Sequence, residues 1–289
     1  MNAQDKALAQ LNNRYRAVSF HPDDFMPGRI YHYTSAAGLC GIVSTGVLRA
    51  SNFSYVNDSK EILYGRKLAL ESVWSRLVEH PPSGTRTMLD KVLAALQQVG
   101  QIQDFYIACF CEDSDLLSQW RGYGSARARF CIGFDTENLP SGLPYCLSKV
   151  MYDSTMQRQK VDNAIDQAVE TLGTSSHIEF INGVAAALAE KLVREISFFK
   201  HPGFAEEHEW RAVHAAESED RIDFDTSSGV LKPFVDLWVG WERLNGPIVE
   251  VVVGPQGSVA QSRSVEILLA RYGYKDVEIK ESAVPYREL

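Results

Sequence analysis

Along the chain the spacing of apolar positions shifts from one stretch to the next, and the shifts mark out elements. Residues 29–34, RIYHYT, are rich in strand-favouring aromatics and lie between Pro27-Gly28 and the SAAG that follows, which predicts a short strand. Leu39, Ile42 and Val43 then fall at helical spacing, with Ser35 placed to cap that helix and Gly46 to stop it. A short extended piece and a polar loop lead to two helices over 59–79 and 86–99, the second with Met88, Leu89, Val92, Leu93 and Leu96 on one face. The apolar run DFYIACFC predicts a buried strand over 104–111, followed by a short helix over 114–124. Further strands are expected at 128–135, 147–153, 208–215, within 229–239, at 248–253 and at 275–281. Helices are expected at 155–173, 176–200 and 260–272, the second of these with the seam Ile181, Val184, Leu188, Leu192 and Ile196. Strands separated by paired helices predict a single α+β domain with a central mixed sheet. Residues 1–25 read as a helical extension before a core of 26–289, with no repeat or linker inside it.

Composition and charge narrow the classes. The 289 residues are 45% hydrophobic and 23% charged, an ordinary globular make-up. A formal net charge of -8 argues against a broad phosphate-neutralising surface, while leaving room for a local basic pocket. The five cysteines include no CxxC pair and read as reduced, mostly buried thiols of a cytosolic protein. The opening MNAQDKALAQLNNRYRAV lacks the apolar stretch of a secretory signal, and no apolar run approaches the ~18 residues needed to span a bilayer. The expectation is a cytoplasmic protein with no membrane partner.

Three places carry residue types suited to chemistry. His32 sits between two tyrosines on the first strand, either as a satisfied core histidine or as a pocket wall. Trp120 and Tyr123 lie three apart on a short helix after a buried strand, where they either pack on the sheet or stack on a planar ring. Glu207 and Glu209 flank His208 at the mouth of a strand, which in an extended chain aims both carboxylates one way, with Arg211 next in line. Glu209 is then either an Arg211 partner or a catalytic acid on a rigid edge. Asn57, in NDSKE, is placed to cap the next helix, with ligand contact as its second reading. VVVGPQGS lacks the lysine of a phosphate loop, and HExxH, G-x-S-x-G and metal-spaced Cys/His sets are absent from the sequence. Cys109 and Cys111 lie in too apolar a run to form a reactive thiolate.

The ordered pieces YHYTS, STGVL, CFCED, SQWRGY, IGFD, EWR and VVVG resemble a bacterial family known only as domain of unknown function 2971. More remotely, His32-Tyr33-Thr34 and the short helix after it are similar to the opening of the ADP-ribosyltransferase superfamily, which includes the DarT-like toxins. That resemblance implies a split mixed β-sheet flanked by helices, NAD as substrate, no metal, and transfer of ADP-ribose to a macromolecular acceptor, protein or nucleic acid. It implies that His32 grips a ribose, that Tyr33 and Thr34 shape the nicotinamide slot, and that Trp120 or Tyr123 stacks on the ring. Glu209 matches the late glutamate, with Glu207 orienting or deprotonating the acceptor and Arg211 beside the ligand. The superfamily's middle Ser-Thr-Ser strand is replaced here by CFC. A carboxylate at the anomeric carbon suits the reaction, because nicotinamide departure builds oxocarbenium charge. An NAD glycohydrolase and a non-catalytic nucleotide-sensing module are the alternatives, and a toxin or phage-defence role follows by analogy alone.

Overall fold

The computed structural model describes residues 2–16, 26–55, 59–99, 105–122, 130–139, 145–216, 221–226, 229–238, 246–255 and 257–286. In chain order the elements begin α1 (Ala3–Arg16), β1 (Arg29–Thr34), α2 (Ala36–Thr45), β2 (Val47–Asn52), α3 (Ser59–Val78) and α4 (Ser83–Gln98). They continue β3 (Phe105–Cys111), α5 (Leu117–Gly122), β4 (Phe130–Asp135), β5 (Cys146–Lys149), α6 (Ser154–Leu172) and α7 (Ile178–Ile196). The last are β6 (Glu209–Ala215), β7 (Asp223–Asp225), β8 (Lys232–Trp238), β9 (Ile248–Val253), α8 (Val259–Arg271) and β10 (Glu278–Glu281).

Contacts divide the chain into two compact units, each assembled from three separate stretches, which is why the sequence displays no single boundary between them. One unit takes Met1–His21, Asp58–Asp104 and Val150–Ala205 and is helical, formed by α1, α3, α4, α6 and α7. The predicted seam of α7 is its core: Ile181, Val184, Leu188, Leu192 and Ile196 are all buried, and α4 brings Met88, Leu89, Val92 and Leu96. The helix expected as a terminal extension packs on α6 and α7 within this unit. Asp153 caps α6 by accepting from the amides of Thr155 and Met156. Gln157 is fully buried and joins three places, its amide donating to the carbonyls of Met151 and Lys200 while its oxygen accepts from Tyr64.

The second unit takes Pro22–Asn57, Phe105–Lys149 and Glu206–Leu289 and holds a ten-stranded mixed sheet with α2, α5 and α8. Its longest path runs β10-β9-β4-β1-β3-β2-β8-β7, parallel only between β10 and β9. β3 is the branch point. One edge pairs with β6 along its whole length, and β5 lies beyond β6. The other edge is shared by two strands: β1 meets it at Tyr31↔Cys111, and β2 at Ser51↔Ile107 and Asn52↔Tyr106. Neither pairs with residues 108–110, so the sheet forks there. α2 spans from β1 to β2 with the predicted boundaries. Ser35 accepts from the Gly38 amide, and Gly46 closes the helix at φ 72°, a left-handed conformation that glycine adopts without strain.

Some element bounds change, and one short strand is added. The strand expected at 147–153 is Cys146–Lys149, since the chain beyond makes only a bridge from Met151 to Phe199. The helix expected at 114–124 is described over Leu117–Gly122. β7, three residues long, has too few positions for an apolar period to register in the sequence.

Candidate functional site

Alternation along the strands gives the sheet two unlike faces. On one, Ile30, Phe110, Ile132, Phe134, Trp210 and Val251 pack with α2 and α8 residues such as Leu39, Val43 and Val265. On the other, Tyr33, Cys111, Trp120, Cys131 and Val252 form a smaller cluster with Tyr31 against it. Cross-strand partners share a face, so the registers trace one row across this second face: Glu278, Glu250, Gly133, Tyr31, Cys111, Glu209. The row explains Gly133, where a Cβ would fall 2.8 Å from the Tyr31 ring and 3.0 Å from Glu250 Cβ.

His32 belongs to the first face, with its ring 5.9 Å from that of Phe110. Its Nδ1 lies 2.9 Å from the Cys109 carbonyl, in the fork where neither β1 nor β2 pairs with β3. A carbonyl only accepts, so Nδ1 carries the proton. Burial lowers the imidazole pKa against the raising effect of that hydrogen bond, so the ring is neutral at pH 7 and Nε2 is left as an acceptor. A side chain that donates sideways to a carbonyl at a branch is something Ile, Val or Leu cannot supply.

Glu209 and Arg211 lie on the opposite face, both buried, in a two-point ion pair. Arg211 Nε donates to Oε1 at 2.6 Å and Nη2 to Oε2 at 3.1 Å. The register therefore sends His32, which the resemblance has gripping a ribose, and Glu209, its late glutamate, to opposite sides of the sheet. The expected Glu207–Glu209 alignment also fails. Glu207 ends a 3-10 turn (Pro202–Glu207) and His208 has φ 40°, so the extended alternation that would match the two carboxylates begins only at Glu209. The Glu207 carbonyl instead accepts from Cys111 Sγ at 3.0 Å.

Tyr33 and Trp120 come together, edge to face with centroids 4.7 Å apart, on the Glu209 side. Both rings are buried against each other. The Tyr33 hydroxyl donates to the Asp113 carbonyl and accepts from the Leu116 amide, and burial drives its pKa far above the phenol range. Thr34 ends β1 with Oγ1 only 2.0 Å from where a Cβ on Gly38 would sit, so it is engaged by the first turn of α2. Burial pushes the Cys111 thiol up to about 12, which keeps it protonated and unreactive at neutral pH. Asn57 and Tyr123, expected near the ligand, lie outside the described residues.

Two polar groupings had no distinctive sequence pattern. Glu112 accepts from Lys149 Nζ and Trp210 Nε1, each at 2.8 Å. Burial works to raise its pKa, and these two donors overcome that and hold it below the usual carboxylate value. Glu250, 1% exposed, binds Arg29 and Lys280 through Oε2, while its Oε1 has no hydrogen-bond partner. Both join residues far apart in the chain. Among the described residues, no group of three His, Cys, Asp or Glu side chains is placed to hold a metal ion, and no helix is long and apolar enough to cross a membrane.

Residues 119–212 match a family model described as Protein of unknown function (DUF2971), which takes in Trp120, Glu209 and Arg211. None of the curated proteins and none of the solved structures matches the chain.

Proposed function

We propose that this protein is an NAD-consuming, ADP-ribosyltransferase-like enzyme that works from the Glu209 face of its forked sheet. The observation that carries the reading is the row Tyr31–Cys111–Glu209: a buried carboxylate held rigidly on β6, two strands from β1, beside the branch in the sheet. A split sheet is what the resemblance of His32-Tyr33-Thr34 implies. In this reading Glu209 faces the anomeric carbon and stabilises the oxocarbenium charge that grows as nicotinamide leaves. Arg211 holds that carboxylate fixed in direction through two hydrogen bonds. His32 acts as a positioning residue, holding the Cys109 carbonyl at the fork of β3. Glu207 acts on the acceptor, and water in that role would make the protein an NAD glycohydrolase.

A second reading, a nucleotide-sensing module without turnover, draws on the same ion pair. A carboxylate with both oxygens on a guanidinium has less negative potential to offer a developing cation. Incubation with NAD separates the two. The enzyme reading expects free nicotinamide from the wild type and a drop of about 100- to 10,000-fold in Glu209→Gln. Equal rates would remove Glu209 from the mechanism. NAD binding with no nicotinamide release would favour the sensor.

A further inference from the structure

We infer that the outer stripe of α3 is the surface through which two copies of this chain pair, helix against antiparallel helix. The inference stands apart from the enzyme reading, since α3 belongs to the helical unit. This helix is apolar on two sides. The inner side, with Leu68, Ala69, Val73 and Leu77, is buried, and a Cβ on Gly65 would fall 2.9 Å from Ile196 Cβ. The outer side carries Leu63, Trp74 and Val78, exposed at 48%, 59% and 59%, with half-buried Leu70 between them. A single exposed apolar side chain is ordinary. A tryptophan in line with leucine and valine over about four helical turns is a surface that water disfavours.

Leu63, Lys67, Leu70 and Trp74 fall at the a and d positions of a heptad seam, the spacing that lets a second helix lie alongside. Charge within the seam selects a second copy as that helix. Lys67 and Glu71 are both exposed, with Nζ 4.0 Å from Oε1, at the limit of an ion pair. A twofold axis crossing the stripe between residues 68 and 69 brings Leu63 onto the second copy's Trp74. It also lays the Lys67 stem along the other Leu70 and its ammonium beside the other Glu71. A parallel pair would instead set Lys67 against its own copy. A partner of another kind needs only an apolar face, whereas this order of cation and anion is complementary to itself. Glu71–Arg158 at 3.0 Å and Arg76–Asp166 at 2.8 Å tie the stripe to α6 on one side and supply a polar rim.

The seam is short, so the dimer is expected to form at roughly micromolar concentrations. Sedimentation velocity of the full chain from about 1 to 200 μM reads it, with the wild type passing from monomer to dimer across that range. Trp74→Ser is expected to weaken pairing at least about 100-fold with an unchanged circular dichroism spectrum. Lys67→Glu and Glu71→Lys each oppose like charges across the seam and are expected to weaken self-pairing about tenfold. Mixed together, these two variants match every charge and should pair at least as well as the wild type. A wild type that stays monomeric at the highest concentration would overturn the inference, as would a dimer that Trp74→Ser leaves intact. Charge variants that pair with themselves as well as with each other would overturn the antiparallel seam.

Discussion

The two faces of the forked sheet are made by the same strands from alternate residues, yet they solve different problems. The His32 face carries the larger apolar cluster, packed with α2 and α8, and the His32 imidazole serves the backbone of β3. The Glu209 face mixes tyrosine, tryptophan and thiol groups with buried charges, namely Glu209, Arg211 and Glu250. Burying a charge is unfavourable unless a partner compensates, and here Glu209 and Arg211 compensate each other while Arg29 and Lys280 meet Glu250. The comparison teaches that one sheet can keep its apolar packing on one side and its paired buried charges on the other, and the proposed activity belongs to the second. It also shows that a histidine with the look of a ligand can belong to the first.

The contrast breaks most sharply at the ion pair. Arg211→Ala takes the guanidinium from a buried carboxylate and is expected to cost about 3–5 kcal/mol in chemical denaturation. Replacing both partners by Glu209→Leu and Arg211→Met is expected to cost far less. A single variant as stable as the wild type would mean the pair is not desolvated as described.

At the fork the expected effect is smaller and depends on pH. His32→Phe removes the hydrogen bond to the Cys109 carbonyl, for about 0.5–1.5 kcal/mol at pH 7. The folded protein holds this imidazole below its ordinary pKa, so as the pH falls the unfolded chain takes up the proton first. Stability that is fully present above the unfolded value of about 6.5 is then lost as the pH drops toward the lower folded value. Denaturation between pH 7.5 and 5 should show a component of this slope that His32→Phe removes. An unchanged slope would clear His32 of the role.

The smallest change sharpens the comparison from the apolar side. Ile132→Val, fully buried on the His32 face, should cost about 0.5–1.5 kcal/mol and leave NAD binding as it was. A shift in NAD affinity without a larger stability loss would place a ligand on the face assigned to packing.

Much of this was legible in the chain because it depends on neighbours. RIYHYT became β1 with its predicted ends, and Ser35 and Gly46 bound α2 because a side-chain oxygen and a left-handed glycine act within one helical turn. The α7 seam was equally plain, since one residue in three or four on a single face needs no knowledge of what packs there. Glu209 and Arg211 were visible as one strand's same-side pair. The failures share a cause as well. Glu207 was misaligned because a single positive φ at His208 interrupts the alternation, and residue type alone does not announce it.

The sequence by itself determined most of the elements, the apolar faces and the placing of Glu209 and Arg211 on one side of a strand, all of which follow from periods of two and 3.6 residues and from short-range hydrogen bonding. Only the tertiary structure decided that β3 forks, that His32 and Glu209 look away from each other, and that Asp115 holds a segment 167 residues later in the chain. Register and branching come from which strands meet across long loops. A shift of one residue reverses every side chain, so facing could be settled only once the strands were in place.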